Sequence, residues 1–319
     1  MDPLPSAPAR KRLPRWLRFT LFGLLALVVL AVAAGLWLRW YLSTGDLDSG
    51  GPLRPRQAAY DVRRYDLAVA VDPMAKAIRG TNRATVVAIA ALDRFEIQLD
   101  DRMVVAAARI DDAPAAFEHA DGLVTVPLAT PWSAGERHAV TLQYAGVPKV
   151  ARRPPWSDGF VWKQTADGRP WVGVTGQGDG GDDWWPCKDH PSDEPDEGMS
   201  IALTVPADLV GLTRTTSNWE MTYPINNYLV SVNIAPYVPI EATYNGIDGT
   251  LDEKILFWAL PEHEEKARAM WKQAPKMLEV LGKRFGEYPF LRDKYWVAET
   301  PYLGMEHQTI VAYGADFED

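Results

Sequence analysis

The sequence has very little cysteine and histidine, and it has no surplus of positive charge. Its 319 residues include 1 cysteine, Cys187, and 5 histidines. A lone cysteine excludes an internal disulfide framework, so packing must stabilise the fold. The formal net charge of -9 argues against a nucleic-acid surface, because phosphate binding requires a net basic face. The length is sufficient for about two domains.

One long uncharged run lies near the amino terminus. Residues 19–38 contain no charged side chain, and the run is about as long as a helix that crosses a bilayer. Because residues 1–18 are basic, the positive-inside rule predicts that they stay in the cytoplasm while the remainder is exported. We therefore expect a single-pass anchor in the cell (inner) membrane that contacts the lipid bilayer through residues 19–38, with a periplasmic or extracellular domain.

Two other interpretations of this run are considered. Ala31, Ala33 and Ala34 resemble the small-residue site at which a secretory signal is cleaved. The apolar run continues past these alanines, however, and is longer than the core of a typical signal. A buried core helix is the second alternative, which the basic flank and the extreme N-terminal position disfavour.

The rest of the chain divides by composition and periodicity. Residues 39–59 are rich in Gly, Pro and Ser and predict a flexible tether. Residues 60–248 alternate apolar and polar side chains, which predicts half-buried strands. The alternating apolar sets are Tyr65, Leu67, Val69 and Val71, then Phe95, Ile97 and Leu99, then Val140, Leu142 and Tyr144, then Ile201, Leu203 and Val205, and finally Tyr228, Val230, Val232 and Ile234. The expected fold class is mainly β, with a large antiparallel β-sandwich or saddle.

The periodicity changes near residue 261. Pro261 and the glutamates after it suit a helix N-terminus, where negative charge meets the helix dipole favourably. Apolar side chains then recur at helical spacing, namely Met270, Trp271, Ala274, Met277, Leu278 and Leu281, and Gly282 and Gly286 offer a stop. A strand is expected over residues 294–299. The helix followed by this strand predicts that residues 249–319 form the beginning of an α/β domain.

A glycine- and aspartate-rich segment over residues 172–198 is the first candidate for chemistry. Gly176, Gly178 and Gly181 satisfy the pattern Gly-x-Gly-x-x-Gly after an apolar strand. No helix follows that could hold a pyrophosphate, and neighbouring aspartates would repel one, so a dinucleotide site is disfavoured. The aspartate spacing does not match an EF-hand, which leaves a loose cation site as the alternative.

The second candidate segment is residues 299–314, where Glu306 and His307 are adjacent. Neighbours on a strand point to opposite faces, so this pair alone predicts a surface carboxylate beside a hydrogen-bonded histidine rather than two ligands of one metal. His263 begins His-Glu-Glu-Lys-Ala, which lacks the second histidine of the zincin motif. No metal site is predicted within the chain, and no Gly-x-Ser-x-Gly elbow indicates a serine hydrolase.

Four segments, in order, resemble the aminopeptidase N-like zinc metallopeptidases, the membrane alanyl aminopeptidase family. Residues 60–81 resemble the opening strands of the family, and residues 176–195 resemble its segment with a Gln before a Pro-Cys-x-Asp-x-Pro turn. Residues 287–290, Glu-Tyr-Pro-Phe, are typical of the start of the catalytic domain. Residues 301–307, Pro-Tyr-Leu-Gly-Met-Glu-His, resemble the exopeptidase motif Gly-x-Met-Glu-Asn. The resemblance runs from about residue 60 to the end of the chain.

This resemblance implies a thermolysin-like catalytic domain and roles for five residues. Glu306 would hold the free α-amino group of a peptide substrate, and Gln177 would be a second contact to that ammonium. Backbone groups at Gly304 and Met305 would lie along the peptide, and Tyr302 would line the pocket for the first side chain. A carboxylate suits this role, because a charge-assisted hydrogen bond fixes the ammonium and thereby the bond that is cut.

The sequence departs from the family in several ways. His307 stands where Asn is usual, Leu303 where Gly or Ala is common, and Asp182 where a basic residue is frequent, so the pocket differs in shape and charge. The family's His-Glu-x-x-His helix, which follows the exopeptidase motif, is missing. Zinc is therefore expected only in the complete protein. This chain, without zinc ligands or general base, is expected to be truncated and inactive alone.

The favoured hypothesis is the N-terminal portion of a membrane-anchored zinc aminopeptidase that removes N-terminal residues from peptides. The rival hypothesis is a non-catalytic anchored β-domain that binds peptides or partner proteins. Reading the nucleotide sequence past codon 319 for His-Glu-x-x-His would discriminate between them. The sequence gives no indication of the oligomeric state or of the preferred substrate residue.

Overall fold

The chain forms two compact units, Met1–Thr44 and Gly45–Asp319. The computed structural model describes residues 14–42, 49, 51–178, 180–206, 214–314 and 316–317. Most of the predicted cytoplasmic segment, residues 1–18, lies outside the described residues. Residues 43–48 and 50 of the predicted tether also lie outside them.

The described residues of the first unit form the helix α1 (Arg15–Leu42). Its stretch Phe19–Trp40 is long and apolar enough to cross a membrane, judged by length and composition, although a signal sequence would pass the same test. The helix extends beyond the predicted span at residues 19–38. Residues 39–42, which the sequence assigned to the tether, are therefore helical.

The first part of the second unit consists of strands. They are β1 (Tyr60–Asp72), β2 (Ala77–Ala88), β3 (Leu92–Gln98), β4 (Met103–Ile110), β5 (Ala113–Ala115), β6 (Glu118–Ala120), β7 (Leu123–Trp132), β8 (Arg137–Gly146), β9 (Gly159–Gln164), β10 (Pro170–Thr175), β11 (Met199–Pro206) and β12 (Arg214–Met221). Seven form a sheet in the order β12-β11-β1-β2-β8-β4-β5, while β3-β7-β6 and β10-β9 form smaller sheets. The mainly β prediction is confirmed. The large sheet is mixed rather than purely antiparallel, because β11 returns beside β1 in parallel.

The second part of this unit combines strands with two helices. They are β13 (Val238–Tyr244), β14 (Glu253–Ala259), α2 (Glu264–Trp271), α3 (Ala274–Phe285), β15 (Trp296–Glu299) and β16 (Ile310–Tyr313). The four strands form a sheet in chain order, with β13 and β14 antiparallel and the other two pairs parallel. The predicted domain boundary between residues 248 and 249 falls in the loop that joins the paired strands β13 and β14. The division into domains therefore stays a prediction.

Alternation predicts the buried faces of β1, β3 and β8 correctly but fails for one segment. Tyr228 lies in a short 3-10 turn, Asn227–Leu229, and the expected strand over 228–234 does not form. Only an isolated bridge joins Ile234 to Val172 among the described residues. The apolar side chains after the turn are nevertheless buried. The alternation thus reports burial, whereas a strand also requires a continuous ladder of hydrogen bonds.

The single helix expected from residue 261 onward is divided in two. The first part, α2, ends at Trp271, and α3 begins just before Pro275, because proline has no N–H and its ring clashes with the preceding turn of a continuous helix. Trp271 and Leu278 are buried as expected, whereas Met277 and Leu281 are exposed. The apolar stripe that packs on the sheet is therefore narrower than predicted.

Candidate functional site

Glu306 and Gln177 belong to distant segments that meet at the protein surface. Gln177 lies in the turn after β10, and Glu306 lies between β15 and β16. The side-chain amide of Gln177 donates a hydrogen bond to Glu306 Oε1 at 3.3 Å. The Tyr228 hydroxyl donates to the same oxygen at 3.5 Å. Both bonds are long compared with hydrogen bonds to a carboxylate in general, which are usually shorter than 3 Å. The carboxylate is therefore only weakly engaged.

The Glu306 carboxylate has one oxygen that can accept further hydrogen bonds from a ligand. Burial, and secondarily the nearby Glu306, raise the pKa of Tyr228, so its hydroxyl stays a neutral donor. Within the described part of the chain, no side chain or backbone group donates to Glu306 Oε2. An exposed carboxylate with one open oxygen is suited to accept hydrogen bonds from an ammonium group.

Hydrogen bonds to buried polar groups fix the turn that carries Gln177. The backbone N–H of Gly178 donates to Asp158 Oδ2 at 2.7 Å, and burial raises the pKa of that carboxyl. Gly180 has φ +92°, and a Cβ there would lie 2.0 Å from Asp189 Oδ1, so only glycine fits. The Gly181 N–H donates to Asn227 Oδ1 at 3.2 Å. The glycines of this segment, for which the sequence disfavoured a dinucleotide site, allow a tight turn.

The segment that carries Glu306 is fixed by its own buried neighbours. Tyr302 is buried and its hydroxyl donates to the Val174 carbonyl at 3.0 Å. The ring lies against Gly173, where a Cβ would approach it to 2.7 Å. The Met305 backbone N–H and C=O both bond to Ala312, at 3.3 and 2.9 Å. Gly304 is exposed. The substrate contacts expected of Tyr302, Gly304 and Met305 stay predictions. Tyr302 and Met305 also support the fold.

His307 differs from the sequence expectation. Glu306 is exposed, as expected of a surface carboxylate, and His307 is buried. Neither ring nitrogen has a hydrogen-bond partner among the described residues, so the expected hydrogen-bonded histidine is wrong. Because burial disfavours the charged imidazolium, the pKa of His307 falls to about 3. His307 is therefore neutral at physiological pH.

Sequence reasoning missed two residues of this site, Tyr228 and Asp158. Tyr228 was assigned to a strand, and its partner Glu306 lies 78 residues away, so no local pattern could pair them. Asp158 supports a turn that begins far beyond it in the chain. Only residue types that recur at fixed local spacing leave a signal in a single sequence.

The described residues do not fit a metal centre. They contain no group of three or more His, Cys, Asp or Glu side chains that could hold a metal ion. The aspartates near residue 180 include the buried Asp183, whose pKa burial raises to about 7 and which lies 3.4 Å from the Lys149 ammonium. We therefore assign neither the loose cation site nor a zinc site to these residues.

The fold has solved relatives, whereas comparisons with family models and with curated proteins found no match. An M1 zinc metallopeptidase from Deinococcus radiodurans has a TM-score of 0.66 and 24% identity, over 86% of this chain and 64% of that one. A variant described as bound to a Tyr-Ser-Ala substrate matches with the same TM-score and identity, over 86% and 65%. Leukotriene A4 hydrolase from Saccharomyces cerevisiae gives 0.64 and 16%, over 81% and 41%.

The comparison covers most of this chain but only part of its relatives. The chain spans less than two thirds of the length of each of these solved structures. At this level of identity the likeness establishes the fold. The structural neighbours of this chain are M1 zinc metallopeptidases, and it shares the fold of their N-terminal domain.

Proposed function

We propose that this chain is the part of a membrane-anchored zinc aminopeptidase that recognises the free amino terminus of a peptide. The observation that carries this proposal is the meeting of Glu306 with Gln177 and Tyr228 at the surface. An α-ammonium group would exchange two long hydrogen bonds on Glu306 for shorter, charge-assisted ones. The Gln177 amide also has an oxygen that can accept a second ammonium hydrogen.

The anchor and the metal belong to the same proposal. The apolar length of α1 and the basic residues before it support a single-pass anchor with a cytoplasmic N-terminus. The zinc is proposed for the complete protein because the structural neighbours are zinc metallopeptidases. Since the described residues do not fit a zinc site, the contribution of this chain is to bind and orient the peptide.

Peptide binding to the full chain in lipid nanodiscs tests this proposal. The probes are Tyr-Ser-Ala and its N-acetylated form, which lacks the ammonium, and the readout is isothermal titration calorimetry with empty nanodiscs subtracted. We expect Glu306→Ala to weaken binding of Tyr-Ser-Ala about tenfold or more, as loss of a charge-assisted pair of about 1.4 kcal/mol requires. The matched control is Glu241→Gln, another exposed carboxylate, whose side chain is 61% exposed. Equal binding of both peptides would contradict the proposal.

A reporter assay separates the proposal from the binding-only rival. With zinc supplied, the chain by itself should bind peptides but leave an aminoacyl anilide uncleaved. The same assay on the protein together with any coding sequence that follows codon 319 should show zinc-dependent cleavage, abolished by a chelator. Peptide binding without cleavage in that longer protein would favour the non-catalytic binding module.

A further inference from the structure

A cavity separate from Glu306 lies between the large mixed sheet and the four-stranded sheet. Its volume is about 360 Å³, within the range of about 300–1,000 Å³ of small-molecule sites. One wall consists of side chains from β11 and β12, including Ile201 and Leu203. The other wall includes Trp258 from β14 and Ile310 from β16. The walls are therefore mostly apolar, and much of the remaining lining comes from the segment 225–237 between β12 and β13.

One cation, Lys294, lines this apolar cavity. Its ammonium nitrogen lies 5.5 Å from the centre of the Trp219 ring and 5.4 Å from that of Trp296. Its hydrogen-bond partner is the Met221 sulfur at 3.7 Å, which is a weak acceptor. Burial lowers the pKa of Lys294. Ring faces and a thioether thus replace the water that would otherwise solvate this charge.

The neighbouring Asp293 carboxylate attracts Lys294 electrostatically but forms no close ion pair with it. Asp293 instead accepts hydrogen bonds from Thr222, at 3.0 Å from the backbone N–H and 2.6 Å from the hydroxyl. Among the described residues, no carboxylate forms an ion pair with Lys294 within 4.0 Å. A partly buried charge without a counter-ion in direct contact is costly, and cation–π contacts of about 0.5–2 kcal/mol recover only part of that cost.

We propose that this cavity binds a monocarboxylate with an aliphatic tail, whose carboxylate pairs with Lys294 and whose tail lies along Ile201, Leu203 and Trp258. The ligand carboxylate supplies a counter-ion in direct contact with Lys294, in a site of low polarity where the pairing is stronger than in water. The tail gains about 0.8 kcal/mol for each buried methylene. Inorganic phosphate does not suit this site, because it has no apolar part to contact the mostly apolar walls. A neutral alcohol would leave Lys294 unpaired.

Titration of the full chain in nanodiscs with octanoate tests this proposal. Isothermal titration calorimetry is used, with empty nanodiscs subtracted and with octanol and inorganic phosphate as comparison probes. We expect Lys294→Gln to weaken octanoate binding about tenfold or more, and Lys294→Arg to keep it within about threefold. The matched control is Lys254→Gln on β14, because the Lys254 side chain is 75% exposed and should not affect binding.

A second variant keeps the test decisive if Lys294→Gln does not fold, which thermal unfolding would reveal. Ser217 lines the same cavity, so Ser217→Phe should fill it and abolish octanoate binding while Lys294 remains. Neither change should alter binding of Tyr-Ser-Ala, so the outcome is independent of the aminopeptidase proposal. Octanol or phosphate binding as tight as octanoate, unchanged binding in Lys294→Gln or in Ser217→Phe, or no heat beyond that of empty nanodiscs would overturn the proposal.

Discussion

Glu299 and Glu306 lie on one short segment, yet their carboxylates have opposite environments. Glu299 is 4% exposed, its Oε2 accepts the Leu260 backbone N–H at 2.8 Å, and its Oε1 pairs with His263 Nδ1 at 2.5 Å. Glu306 is exposed and receives two long bonds on one oxygen. A carboxylate that the protein satisfies internally stabilises the fold, whereas one left partly unsatisfied at the surface can bind a ligand.

The buried residues of this segment hold the exposed ones in place. Tyr302, Met305 and His307 are each less than a tenth exposed, while Leu303 between them is 48% exposed. A binding group is most effective when its supporting residues are locked by packing. Stability should therefore depend on the buried members, and peptide binding on Glu306.

The largest expected effect is on the buried carboxylate. We expect Glu299→Ala to lower the free energy of unfolding by about 3 kcal/mol, because it leaves the buried Leu260 N–H without an acceptor and removes the partner of the half-buried His263. Glu306→Ala should change it by less than about 0.5 kcal/mol. Denaturant unfolding of the two variants measures both values. Similar losses for both would remove the distinction between the two carboxylates.

A second expected effect concerns His307 and pH. Its pKa falls from the ordinary 6.5 to about 3 in the folded protein, so below pH 6.5 the unfolded chain binds a proton that the folded chain does not. As far as His307 is concerned, the free energy of unfolding is therefore highest above pH 6.5, and it decreases as the pH falls toward 3. Between pH 6.5 and 5 the loss amounts to about 1.6 kcal/mol. His307→Asn should remove that part of the pH dependence, as measured by unfolding at both values, and an unchanged slope would contradict the assignment.

A smaller effect is expected where Tyr302 rests on β10. Gly173→Ala should cost about 1.5 kcal/mol of stability, because the added methyl group would overlap the Tyr302 ring and shift the segment. Leu303→Ala is the matched control on the exposed side and should change stability by less than about 0.5 kcal/mol. Thermal unfolding is the readout. Equal values for the two variants would mean that Tyr302 does not fix the segment.

The smallest effect is expected from Gln177. Its amide donates one long bond to Glu306 and is exposed, so Gln177→Ala should weaken Tyr-Ser-Ala binding about threefold. Stability should be unchanged, since Asp158 holds the turn through Gly178 and not through Gln177's side chain. A loss as large as that of Glu306→Ala would instead make Gln177 the principal contact.

Much of the sheet structure was predictable from the sequence, because a half-buried strand exposes every second side chain. Tyr65, Leu67 and Val69 on β1 follow this rule and are buried. The same alternation around Val230 misled the prediction, because those side chains are buried without a neighbouring strand to form a ladder. Pro275 in the sequence marks the helix break. The apolar side chains from Met270 to Leu281 recur at helical spacing across it, however, and so predicted one continuous helix.

The candidate site was only partly predictable. Glu306 and Gln177 were found through resemblance of their segments to a family, and the structure brings them within hydrogen-bond distance. Tyr228 and Asp158 could not be found in this way, because their contacts join positions far apart in the chain. The burial of His307 likewise depends on tertiary packing that a local pattern does not reveal.

The most direct test of the central claim is the ratio of the affinities for Tyr-Ser-Ala and its N-acetylated form, measured for the unmodified chain and for Glu306→Gln. If Glu306 binds the ammonium, the unmodified chain should prefer the free peptide about tenfold or more. Glu306→Gln keeps the shape of the side chain but removes its charge, so the preference should fall to about threefold or less. A preference that persists unchanged in Glu306→Gln would contradict the account.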